Sequence, residues 1–117
     1  MMQLDFSKYI GKSHEEYNCY ELFRAIQANF GIQLPSFEYT PNRHEVSETI
    51  DMELLARYKK LDKPELFCGV VMYDGGIPCH IACYIGEGKI IHSTSARGVT
   101  IDDLDMRDVE GFYGVKQ

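Results

Sequence analysis

The chain has 117 residues, 44% of them apolar and 26% charged, with a net charge of −6. A chain of that length and balance buries a core without staples and fits one domain spanning 1–117. An acidic chain argues against nucleic acid and against anionic membrane surfaces as partners, since both recruit basic proteins.

The opening stretch, MMQLDFSKYI, lacks a basic segment followed by a long apolar run, and no later stretch approaches a membrane span. The expectation is synthesis in the cytoplasm without a signal peptide. Four cysteines in that setting read as free thiols, ligands or catalysts before disulfides. Apolar spacing is helical before Pro64 and strand-like after it. Residues 3–10 suggest a short helix stopping at Gly11, and residues 12–17 are polar and loop-like. Asn18 is a good N-cap, and Glu21 three residues on completes the pattern of a capping box. Leu22, Phe23, Ile26 and Phe30 then form a stripe at helical spacing, ended by Gly31, with Pro35 in the exit loop. A second helix is predicted over about 45–60, burying Ile50, Leu54, Leu55, Tyr58 and Leu61.

The second half predicts antiparallel sheet. Residues 66–73, 79–85 and 89–94 are β-prone, with turns at Asp74-Gly75-Gly76, Gly86-Glu87-Gly88 and Arg97-Gly98. VTIDDL and FYGV supply two more strands. Helices followed by a meandering sheet define the α+β class.

Cys19 falls on the first position of the clearest helix. Unpaired N–H groups and the positive dipole end favour an anion there, so a thiol loses one or more pKa units, and the same N–H groups can hold an oxyanion. A lone cysteine is also a common core residue. In the strand that follows, Ile81, Cys83 and Ile85 share one face, and His80, Ala82 and Tyr84 share the other. His92 lies twelve residues after His80. A two-residue turn at Glu87-Gly88 pairs Cys83 with His92 and separates the rings. A three-residue loop, 86–88, pairs Ile85 with Lys89 and Ala82 with His92, which makes the histidines diagonal neighbours on one face. The sequence permits that meeting without compelling it. If it occurs, His80 removes the thiol proton and later protonates the leaving amine, while His92 orients it.

The stretches NCYELFRAIQANFGIQLP and HIACYIGEGKIIHSTSARGVTIDDL resemble the nucleophile helix and histidine hairpin of the NlpC/P60 family of papain-like cysteine peptidases. The resemblance runs from about Tyr9 to Leu104. It implies a papain-like fold, with N-terminal helices packed on a C-terminal antiparallel sheet, and a Cys19–His80–His92 triad without cofactor or metal. It also implies cleavage of peptidoglycan stem peptides, typically after D-glutamate at its γ-linkage. The short form and the FGIQLP stretch resemble versions found in phage tails, with other tail proteins as partners and action at the bacterial cell wall. Family members usually carry Asp and Ser on either side of the nucleophile, where they help bind a free L-alanine amine. Here the neighbours are Asn18 and Tyr20, so an intact or differently modified stem is expected. A family tyrosine that assists the oxyanion falls near His14, and Tyr17 or His14 can stand in for it. A solvated loop is the plainer role for both.

Other readings compete. Cys68, Cys79, His80 and Cys83 can be counted as zinc ligands, but strand alternation puts His80 opposite Cys79 and Cys83. A non-catalytic tail-assembly or wall-binding module on the same fold is the main alternative, and acyl transfer on the same triad is another. Glu15, Glu16, Asp102, Asp103 and Asp105 read as a solvated acidic face.

Overall fold

The computed structural model describes residues 5–37 and 42–115. The predicted helix over 3–10 is not formed in its described part. Tyr9 and Ile10 N–H both donate to the Phe6 carbonyl, closing one turn, and Gly11 then leaves at φ +85°. Residues 3 and 4 lie outside the described residues. The segment is recruited elsewhere: Gly11 N–H donates to Val99 O and Val99 N–H to Lys12 O, which ties it to a distant strand.

Helix α1 spans Cys19–Ala28. Asn18 Oδ1 accepts from Glu21 N–H at 2.9 Å, so the predicted cap is in place. The Glu21 carboxylate turns instead to Arg24 and to the Ser36 hydroxyl. Leu22, Phe23 and Ile26 are fully buried. Gln27, also buried, is satisfied by accepting from the Tyr58 hydroxyl at 2.7 Å and donating to Phe67 O at 3.1 Å.

Helix α2 spans Arg43–Arg57, with Asn42 as its N-cap. It ends before the predicted limit, because Tyr58–Leu61 is strand β1, paired with the last strand from Tyr58↔Val115 to Leu61↔Phe112. Ile50, Leu54 and Tyr58 are buried as expected. The Leu55 side chain lies outside the described residues.

The remaining strands are β2 (Gly69–Asp74), β3 (Ile77–Gly86), β4 (Lys89–Thr94), β5 (Gly98–Asp103) and β6 (Val109–Val115). They form one six-stranded sheet in the order β1-β6-β2-β3-β4-β5, with every described pair antiparallel. β2 starts later than the composition of 66–73 suggests. Phe67 takes φ +67° there and packs its ring on Phe30 and Phe6. Period-two alternation divides the core. Val71, Ile81, Cys83, Ile91 and Val99 meet α1 and α2, while Val70, Met72, Ala82, Ile90 and Phe112 form a second cluster on the other face. This is the α+β arrangement expected, helices followed by antiparallel sheet.

Candidate active site

The β3–β4 hairpin sets the site, and it does so by a route the sequence did not disclose. The turn is two residues, Glu87 and Gly88, at φ +55° and +73°, and Gly86 pairs with Lys89. That turn alone gives the parity that separates the histidines. The register shifts between Tyr84 and Gly86, and beyond the shift Tyr84 faces Ile90 and Cys83 faces Ile91. The extra residue in the bulge restores the parity of the predicted three-residue loop. His80 and His92 therefore fall on one face.

The pairings of β3 with β4 run only as far as Cys83↔Ile91, although β3 begins at Ile77 and β4 continues to Thr94. The two strands part in the segment that carries Cys79, His80, His92 and Ser93. Those residues line a groove of about 610 Å³, together with Cys19 and His14 from the N-terminal segment and the charged side chains Arg43, Asp74 and Asp108. The N-terminus of α1 approaches from the helix side. Cys19 Sγ lies 4.0 Å from the Cys79 carbonyl, immediately before His80 in β3.

A chain of short contacts leaves the groove on its other side. His80 Nε2 and His92 Nδ1 are 2.8 Å apart, with ring centroids 5.0 Å apart and nearly edge to face. His92 Nε2 lies 2.7 Å from Asp102 Oδ2. Asp102 accepts two bonds from Arg97 and one from the Thr100 hydroxyl. Asp102 was expected on a solvated face, and here the structure corrects that expectation. His92 pairs with Thr100 and Ile90 with Asp102, so Thr100 and Asp102 sit on the histidine face of β5. The turn expected at Arg97-Gly98 pairs His92 with Asp103 and turns Asp102 to the opposite face; the observed hairpin closes at Thr94↔Gly98, which brings Asp102 to the histidine face. Lys89 pairs with Asp103 and Arg107 with Asp105, at the surface.

Electrostatics correct a second expectation. The helix start was expected to lower the Cys19 thiol. Burial instead pushes it up to about 11, against a smaller opposing pull from the backbone N–H groups of Ile81 and Tyr20. Burial, aided by the neighbouring His92, holds His80 down to about 4. At neutral pH the groove therefore holds a neutral thiol at Cys19 and a neutral imidazole at His80. Burial also lowers His14, at the groove wall.

The other residues predicted for the site are placed differently. Asn18 Oδ1 caps α1. The Tyr20 hydroxyl donates to Pro35 O at 2.7 Å, and the residue is buried. Tyr17 packs edge to face on Tyr9. Of these residues and His14, only His14 lines the groove. Cys68 and Cys83 lie in opposite core clusters. Among the described residues no three His, Cys, Asp or Glu side chains group to hold a metal ion. No helix among them is long and apolar enough to cross a membrane.

The model of the NlpC/P60 family matches residues 7–113. The chain belongs to the NlpC/P60 family. Membership supports a cysteine hydrolase of the cell-wall peptidase class. Among solved structures, the P60 domain of the antigen MAP1204 from M. avium subspecies paratuberculosis is similar in fold. Its TM-score is 0.57 at 21% identity, over 86% of this chain and 68% of that one. The peptidoglycan hydrolase RipB from Mycobacterium tuberculosis aligns at TM-score 0.40 and 11% identity, over 84% of this chain and 81% of that one. Comparison with curated proteins gives no match. The NlpC/P60 fold is thus the helix-then-sheet architecture already described, and the match takes in both Cys19 and the histidine hairpin.

Proposed function

We propose that this chain is a thiol peptidase that hydrolyses peptidoglycan stem peptides, of the γ-D-glutamyl–diamino acid endopeptidase type. Cys19 is the nucleophile, His80 its base and His92 the orienting group. The observation that carries this reading is the shared groove: Cys19 and His80 line it together, and His80 is bonded through Nε2 to His92 at 2.8 Å. With Nε2 engaged, Nδ1 is the nitrogen of His80 left to exchange a proton with sulfur.

The chemistry follows from that arrangement. The thiol proton passes to His80 Nδ1 as Sγ attacks the scissile carbonyl carbon, and the carbonyl oxygen becomes an oxyanion. Cys19 opens α1, so unpaired N–H groups of the helix start are available to that developing charge, and His14 lines the same groove. Collapse breaks the C–N bond, His80 protonates the leaving amine, and a thioester remains on Cys19. Water, deprotonated by His80, attacks the thioester; the acid product leaves and the thiol is restored. Arg43, Asp74 and Asp108 give the groove lining charges of both signs, which suits a stem peptide carrying carboxylates and amines. No cofactor enters this scheme.

The test is digestion of purified peptidoglycan by the wild-type chain and by Cys19→Ala, with mass analysis of the fragments. The expected products carry a new D-glutamyl γ-carboxyl group and a new free amine on the diamino acid. Wall binding without cleavage would favour the non-catalytic module, and identical fragments from Cys19→Ala would remove Cys19 from the mechanism. We assign the activity to a phage tail on the resemblance of FGIQLP to tail-borne versions. Finding the chain in purified virions tests that setting.

A further inference from the structure

Which nitrogen of each histidine carries a proton decides whether His80 is a base at all. The acceptor at the end of the chain of contacts settles that question. Asp102 Oδ2 lies 2.7 Å from His92 Nε2 and also accepts from Arg97 at 2.6 Å and from Thr100 at 2.9 Å; Oδ1 accepts from Arg97 at 3.1 Å. The two Arg97 bonds, then His92, hold this carboxyl well below the usual carboxylate range. An ionised carboxylate only accepts, so the proton between Asp102 and His92 sits on His92 Nε2. A neutral imidazole that donates from Nε2 accepts at Nδ1. His80 Nε2 must then donate across the 2.8 Å contact, and His80 Nδ1 keeps its lone pair.

We infer that Asp102, clamped by Arg97 and Thr100, is a positioning residue that fixes the tautomers of His92 and His80 and so presents His80 Nδ1 to Cys19 as a base. This rests on the reading of Cys19 and His80 as nucleophile and base. An exposed Arg–Asp pair contributes little to stability by itself. This one turns inward: the Asp102 side chain is 30% exposed and meets a His92 side chain that is 10% exposed. Without the carboxylate, neither His92 nitrogen has a fixed role, and His80 is presented as base or as N–H donor without preference.

The experiment records histidine tautomers by NMR on nitrogen-labelled protein at neutral pH, alongside kcat and KM on peptidoglycan fragments. The wild-type chain is expected to show both His80 and His92 as neutral Nε2–H tautomers. Asp102→Ala is expected to lose that uniformity and to lower kcat roughly 10- to 100-fold with KM little changed. Asp102→Glu is expected to restore both readouts in part. Asp102→Asn serves where the alanine variant fails to fold, because its amide can either donate or accept and should leave mixed tautomers. His80 protonated on Nδ1 in the wild-type chain overturns the inference, as does a doubly protonated His92. So do unchanged imidazole spectra in the folded Asp102 variants, whatever their activity. The spectra need no turnover, so an inactive wild-type chain with the expected tautomers defeats the proposed function alone.

Discussion

The two sides of the groove are built from opposite materials. On the sulfur side, Cys19 is 8% exposed and belongs to the apolar cluster of α1 and the sheet. Its S–H donates in one long contact to the Cys79 carbonyl, and the backbone N–H groups of Ile81 and Tyr20 act weakly on the sulfur. On the imidazole side, short polar contacts lead from His80 through His92 and Asp102 to Arg97, whose side chain is 55% exposed. One side keeps the Cys19 thiol, the proposed nucleophile, protonated by excluding water. The other holds His80, the proposed base, through groups that reach the surface. Damage on the sulfur side should therefore be all or none, and damage on the imidazole side should fade with distance from His80 Nδ1.

The sharpest way to break that contrast is at its two ends. Cys19→Ala removes the atom that forms the thioester, and turnover should fall at least about 10⁴-fold while circular dichroism stays unchanged. His80→Ala removes the base and should cost roughly 10³-fold or more in kcat. His92→Ala removes only orientation and should cost about 10²-fold, because an orienting group is easier to lose than the base. Steady-state kinetics on one peptide substrate ranks the three. A His92 loss exceeding the His80 loss would reverse the two roles.

The pH profile sharpens the comparison further. His80 must be neutral to act, and burial lowers its protonation to about 4, below the ordinary histidine range. Activity as kcat/KM should therefore hold steady through mild acid and fall as pH drops through about 4, by roughly tenfold per unit. The thiol, raised to about 11, predicts that iodoacetamide reacts slowly at neutral pH and faster up to about that value. An acid limb at the ordinary histidine value, or rapid alkylation in weak acid, would show that the groove admits more water than its burial indicates.

The contrast also explains what the sequence disclosed. The start of α1 was legible because capping is local chemistry: Asn18 and Glu21 sit within one turn of each other, and Cys19 follows from them. The histidine face was legible because strands alternate strictly, although the shared face came from a bulge at Ile85 and not from the loop expected. The end of α2 was not legible. Tyr58 and Leu61 fit a helical stripe equally well, and only pairing with β6, some fifty residues on, makes them strand. Asp102 was not legible, because the turn expected at Arg97-Gly98 gives the opposite parity, and only the observed closure at Thr94↔Gly98 puts Asp102 on the face of His92. The raised thiol depends on what packs over Cys19, a tertiary fact that a helix N-terminus cannot reveal.

The smallest effect is expected beside the nucleophile. The Asn18 side-chain oxygen takes the Glu21 N–H at 2.9 Å. Asn18→Ala orphans that donor and should lower stability by about 1 kcal/mol in urea unfolding, with kcat/KM changed less than about threefold. Asn18→Asp keeps the acceptor and adds a charge that favours the helix start, so stability should hold or rise by a few tenths of a kcal/mol. The same substitution returns the carboxylate associated with recognition of a free L-alanine amine. If residue 18 serves only as a cap, KM for a stem with that free amine stays the same in the aspartate variant, and the new charge merely slows alkylation of Cys19 by raising its thiol further. A KM at least tenfold lower for the free-amine stem alone would show that this position reaches substrate, and that Asn18 instead of Asp sets which stems the groove accepts.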